Sequence, residues 1–186
     1  GAGVDLTTVV HWYFNACREC DSMKIVKVRN YIADSGFTQL VLNIWDGPSL
    51  SDTIYTDTLD NWLYDNWNEF EISKEIIWDK YKEYWIGFTY FSRPMGTFPA
   101  GIDQGPAIPG YGDLFRINGE EEWHRLSDIG EGNNWNIAVL LEARDSLQNA
   151  ETRIIHSDRT SQESGFIGYN IYLSINGGEY ELVDFI

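Results

Sequence analysis

Tyr84-Trp85-Ile86-Gly87-Phe88-Thr89-Tyr90 is the stretch on which the fold turns. Tyr84, Ile86, Phe88 and Tyr90 recur at every second position, and a strand sends alternate side chains to opposite faces. The stretch therefore reads as a β-strand with one strongly apolar, inward face. The same period extends outward from it. Thr38, Leu40, Leu42 and Ile44 share a face until Asp46-Gly47-Pro48-Ser49 breaks the run. Val26, Val28 and Ile32 share a face of residues 24–32. Residues 54–59 form a short Thr-rich run, and residues 67–72 set Asn68, Phe70 and Ile72 against Trp67, Glu69 and Glu71. Downstream, residues 112–118 carry Leu114 and Phe115 before an Asn118-Gly119 turn. Trp135, Ile137, Val139 and Leu141 line a further strand.

Helical periodicity is scarce. Residues 120–128 are the best short helix candidate, and a bulged strand accounts for Trp123 and Leu126 equally well. The chain thus reads as about seven to nine short strands in succession, an all-β pattern whose spacing points to a jelly-roll-like β-sandwich.

Composition fits that reading. The 186 residues suit one sandwich-sized domain, and 43% apolar content supplies a sizeable core. The 8 Trp, 11 Tyr and 9 Phe favour strands and serve as contact residues. A formal net charge of −16 repels phosphate backbones and anionic lipid, which argues against nucleic acid as a partner. The same charge suits solubility in a salty extracellular medium and is compatible with bound calcium. No apolar run approaches membrane-spanning length, so no membrane insertion is expected. No signal peptide is visible, as in a mature secreted chain.

The two cysteines form one Cys17-Arg18-Glu19-Cys20 motif. One such pair is half a zinc site, and its strand-like surroundings lack the helix N-terminus of a thioredoxin-type centre. A local disulfide or two free thiols in a turn is the simpler reading.

Residues 94–112 interrupt the strand pattern. They hold Pro94, Pro99, Pro106 and Pro109, four of the five prolines, with Gly96, Gly101, Gly105, Gly110 and Gly112. Phe98, Ile102, Ile108 and Tyr111 are interleaved, which marks an ordered loop rather than a linker. Loops of this length are usually functional when they are ordered.

Three segments follow: a sandwich over residues 1–144, a polar connection over 145–164, and a C-terminal β-hairpin over 165–186. Two alternating runs flank Asn176-Gly177-Gly178, residues that supply the positive φ a tight turn needs. An isolated hairpin is marginal in water, so this one packs on the main domain or begins another.

The order of several short motifs carries a family likeness. Trp67-Asn68-Glu69-Phe70 precedes Lys82-Glu83-Tyr84-Trp85-Ile86-Gly87-Phe88. Residues 98–107 (Phe98-Pro99-Ala100-Gly101-Ile102-Asp103-Gln104-Gly105-Pro106-Ala107), Gly110-Tyr111-Gly112-Asp113 and Asn134-Trp135-Asn136-Ile137 follow. This succession resembles the jelly-roll modules of secreted bacterial surface proteins and peptidases, with the cleaved-adhesin modules of gingipain-type proteins as the nearest named relatives. Gly168-Tyr169-Asn170-Ile171-Tyr172 resembles part of a fibronectin type III module. A whole such module needs about seven strands in roughly 100 residues, far more than this tail offers. The resemblance implies export, a cell-surface or outer-membrane location, and a role in cell adhesion, carbohydrate contact or support of a neighbouring enzyme domain. Fold alone implies no activity.

Candidate chemistry is sparse. Glu69 and Glu71 would share a strand face about 7 Å apart, and glycosidases need two carboxyls across a sugar. A solvated outer face, with Phe70 and Ile72 inward, explains them without catalysis. His11, His124 and His156 are scattered, and no Gly-x-Ser-x-Gly elbow occurs. Asp103 and Asp113 flank the Pro/Gly loop and are candidate calcium ligands, against which stands simple capping of turn N–H groups by Asp103. Trp62 and Tyr64, in Asp60-Asn61-Trp62-Leu63-Tyr64-Asp65-Asn66, are candidate sugar-stacking rings, with Tyr111 a third.

The sequence thus favours a non-catalytic extracellular binding module for a glycan or a host or matrix protein. A structural accessory domain, packed beside neighbouring domains of a larger secreted chain, is the alternative. A sandwich glycosidase is a third and weaker reading.

Overall fold

The computed structural model describes residues 3–12, 22–50, 52–107 and 109–142, together with the backbone of three strands at 151–156, 170–175 and 181–185. Among these residues there is no α-helix. Twelve strands run β1 (Val4–Trp12), β2 (Lys24–Ile32), β3 (Gln39–Asp46), β4 (Asp52–Leu59), β5 (Asn66–Glu71), β6 (Tyr84–Arg93), β7 (Leu114–Ile117), β8 (His124–Arg125), β9 (Ile137–Glu142), β10 (Glu151–His156), β11 (Asn170–Ile175) and β12 (Glu181–Phe185).

All pairings are antiparallel and fall into two sheets, which face each other as an open sandwich. The first has the order β4-β3-β6-β1-β7-β8. The second is built on β5-β2-β9 and continues through β10, β11 and β12. Strand β10 lies within residues 145–164, and β11 and β12 pair with each other as the C-terminal hairpin. The motif at Cys17 and Cys20, Ile108, and the Asn176-Gly177-Gly178 turn lie outside the described residues, and so does the side chain of His156.

The interior is the one that period two predicts. Tyr84, Ile86, Phe88 and Tyr90 of β6 meet Leu40, Leu42 and Ile44 of β3, and all are at most 2% exposed. Ile137, Val139 and Leu141 of β9 and Val28 and Ile32 of β2 face them from the second sheet. Removing such a side chain from water contributes roughly 1.5–3 kcal/mol. A polar contact crosses this interior. Asn30 donates its amide to the Tyr90 hydroxyl at 2.5 Å, and burial raises the phenol pKa well above its ordinary value.

Four departures from strict alternation have local causes. A bulge between Ile25 and Lys27 puts Ile25 in the core and turns Val26 outward, onto Ala138 and Leu140. Thr38 precedes β3 and is exposed. Residues 120–128 form no α-helix: they hold the short strand β8 and the start of a 3-10 turn at Leu126–Ile129. Strand β1 shows no clean alternation, because it lies inside its sheet with both faces covered. Leu6, Val10 and Trp12 face the main core, while Val9 packs with Trp45, Trp85 and Leu114 on the outer side of the sheet. Trp123 and Leu50 cover that second cluster. Trp135 is a core residue, whereas Trp85 belongs to the outer cluster and Trp67 is half-buried beneath Arg29, 5.1 Å from its ring.

Candidate binding site at the loop end

Strand register fixes which loops converge. Val4 pairs with Arg93, Leu40 with Leu59, Leu6 with Ile117, and Ile32 with Asn66. The connections 33–38 and 60–65 each cross from one sheet to the other, and the loop after β6 starts at the same end. The Pro/Gly loop then turns into the gap between the sheets. Ala33 donates to the Pro99 carbonyl at 2.7 Å, and Gly101 donates to the Tyr31 carbonyl at 2.9 Å. On its other side, Asn136 donates to the Gly101 carbonyl and Asp103 to that of Asn134, both at 2.9 Å. Residues 99–103 thus act as a short extra strand wedged between β2 and the approach to β9. Gly101 has no alternative there, because a Cβ would sit 2.5 Å from the Tyr31 ring.

This wedge forms one wall of a cleft of about 390 Å³. Phe98 and Ile102 stand on the wedge, Ile129 on the facing 3-10 turn, and Tyr31 and Trp135 lie between. Glu131 is the one charged lining residue. Seven large apolar side chains are exposed among the described residues, and three of them, Phe98, Ile102 and Ile129, line this cleft. Leu63, Tyr64 and Met95 sit on the converging loops. Concentration of exposed apolar area at one place is the mark of a contact surface.

The sequence candidates divide around this site. Trp62 does not stand free: it is half-buried and stacks on the core residue Phe37 at 5.1 Å. Tyr64 meets Phe37 edge-on at 6.1 Å and keeps 47% exposure. Both belong to the loop end, and Asp65 beside them accepts the Tyr31 hydroxyl at 2.6 Å, linking the 60–65 loop to the cleft wall. That bond raises the Tyr31 pKa. Tyr111 is not brought to them. It lies at the far end of the Pro/Gly loop, stacked on His11 at 5.1 Å, and His11 stacks on Trp85 at 3.6 Å. His11 is seven residues along β1 from the loop end, roughly 23 Å.

Asp103 and Asp113 each serve the loop. Oδ1 of Asp103 accepts from the backbone N–H groups of Gly105 and Asn134, and Oδ2 accepts the Asn134 amide, all at 2.8 Å. Asp113 is fully buried, with Oδ1 accepting Gly110 N–H at 2.7 Å. Burial pushes its carboxyl above the ordinary range, opposed by that bond and by the charge of Arg125. Among the described residues, no three His, Cys, Asp or Glu side chains are grouped to hold a metal ion.

The glutamates of β5 and the histidines His11 and His124 are paired. Glu69 lies 3.4 Å from Lys27 and 3.3 Å from Arg29, and Glu71 lies 3.0 Å from Lys27, while Phe70 and Ile72 face the core. His11 Nε2 lies 3.1 Å from Glu83, and His124 Nε2 lies 3.2 Å from Glu120. Burial lowers the His11 pKa, and Glu83 opposes that shift.

Sequence reasoning placed Phe98 and Ile102 on an ordered loop but did not join them to Tyr31, Ile129 or Glu131. Tyr31 sits on the outward face of its strand, and Ile129 lies in a polar stretch with no periodicity. Only the pairing of residues 99–103 with β2 brings the three segments together.

Fold and site together define an all-β, two-sheet antiparallel domain with an apolar cleft at its loop end. Comparison with family models, with curated proteins and with solved structures finds no match to the chain.

Proposed function

We propose that this chain is a non-catalytic binding module that takes hold of a protein partner through its loop end, as an extracellular adhesion domain would. The observation that carries this reading is the cleft between the Pro/Gly loop and the 3-10 turn. Its lining is aromatic and aliphatic, and its rim carries exposed Phe98, Ile102 and Ile129. Pockets of this kind bury an apolar anchor group and fix orientation with few polar contacts. A pyranose would need several hydrogen-bonding side chains around the stacking ring. Glu131 is the one charged group lining this cleft, so a protein ligand fits better than a glycan.

The walls are held before any ligand arrives. The wedge is tied by backbone bonds to Tyr31 and Asn136, and Asp103 clasps Asn134. Such preorganisation lowers the ordering cost of binding.

The test is a paired screen of the wild-type protein and the Phe98→Ser/Ile129→Ser variant on immobilised extracellular-matrix proteins and on a glycan array. Both replaced side chains are about half exposed, so the variant should keep its fold. The reading predicts protein binders that the variant loses. Binders retained in full by the variant, or hits confined to glycans, would refute it.

A further inference from the structure

Resting on that reading, we infer that the cleft's partner is a polypeptide segment in which an apolar side chain is flanked by lysine or arginine. The argument is charge complementarity around an apolar anchor point. The loops that surround the cleft, residues 33–38, 60–65, 94–113 and 126–136, contain no Lys or Arg. They expose five carboxylates: Asp34, Asp60, Asp65, Asp128 and Glu131. Glu131 is itself a lining residue, and Asp65 holds the hydroxyl of the lining Tyr31.

Two arginines flank these loops in the chain, the buried Arg93 and the exposed Arg125. Arg93 is buried beneath the Phe98 ring, 5.2 Å from its centroid, and donates to the carbonyls of Pro94 and Thr97. Arg125 acts on the buried Asp113 carboxyl. The result is an apolar slot with a negative rim on a chain that carries −16 overall. Such a rim steers cationic partners toward the slot and rejects anionic ones by like-charge repulsion. An apolar side chain fills the slot, and its basic neighbours meet Glu131 and the loop carboxylates.

Three fluorescein-labelled synthetic peptides test this by fluorescence polarisation with the full chain. One is Lys-Lys-Leu-Phe-Lys-Lys. A second replaces every Lys with Glu, and the third replaces Leu-Phe with Ser-Ser. The first should bind about tenfold or more tighter than either other, and its affinity should fall several-fold as salt rises to about 0.5 M. Glu131→Lys should narrow the gap between the first two, and Phe98→Ser/Ile129→Ser should abolish binding of the first. Equal binding of the Lys and Glu peptides would overturn the charge inference while leaving the apolar anchor point standing. Equal binding of the Ser-Ser peptide, absence of binding by all three, or displacement of the first by an oligosaccharide mixture would overturn the inference and the reading beneath it.

Discussion

Asn134 and Asp103 hold each other at two points: the backbone N–H of Asn134 donates to one carboxylate oxygen of Asp103 and the side-chain amide donates to the other, each at 2.8 Å. This clasp joins the Pro/Gly loop to the approach to β9, beside Ile102 and Trp135 of the cleft lining. Asp103→Ala leaves the N–H groups of Asn134 and Gly105 without their acceptor, and Asn134 is fully buried. The expected loss is about 2 kcal/mol, read as a lower urea midpoint. Protein N–H groups already engage both oxygens, so millimolar calcium should not raise the melting temperature. A clear upward shift would show that the carboxylate also serves a cation.

Asp113 yields a pH-dependent prediction. Burial raises its folded pKa above the ordinary 3.8, so the folded state holds its proton to higher pH than the unfolded chain does. Stability from this group is therefore greatest in acid and falls as pH rises through the window just above 3.8. Oδ2 has no protein partner and is out of contact with solvent, which adds to the cost of the ionised form. Asp113→Asn should accordingly gain melting temperature relative to wild type at neutral pH, and the gain should shrink toward pH 4. A uniform loss at every pH would contradict this account.

His11 behaves in the opposite sense. Its folded pKa lies below 6.5, so its contribution is complete above that value and is lost as pH falls below it, until the depressed folded value is reached. Glu83 resists the depression. Glu83→Gln should therefore deepen the loss of stability between about pH 6.5 and pH 5, and His11→Gln should flatten the pH dependence in that window. Urea unfolding at the two pH values measures both.

The sandwich was legible because β6, β3 and β9 each bury a single face, and period two then labels the core directly. It failed where geometry broke the period. A bulge of one residue sent Val26 outward, and coverage of both faces hid β1 among Thr and Val. Trp85 alternates with the inward residues of β6, and its place is the outer cluster with Val9 and Trp45. At the site, isolated rings such as Trp62 and Tyr111 were visible as residues but not as neighbours. Trp62 proved to be packed on Phe37, and Tyr111 on His11. The cleft itself depends on contacts between residues about thirty apart or more, Tyr31 with Gly101 and Ile102 with Trp135, which local pattern cannot encode.

The most direct measurement is a titration of 15N-labelled protein with phenol, a small probe carrying an apolar ring, followed by two-dimensional NMR. Saturable shifts should gather on the amides of Gly101, Ile102, Ile129 and Glu131, and Phe98→Ser/Ile129→Ser should weaken them. Shifts that centre elsewhere, or that remain linear and spread over the whole surface, would contradict an anchor point at the loop end.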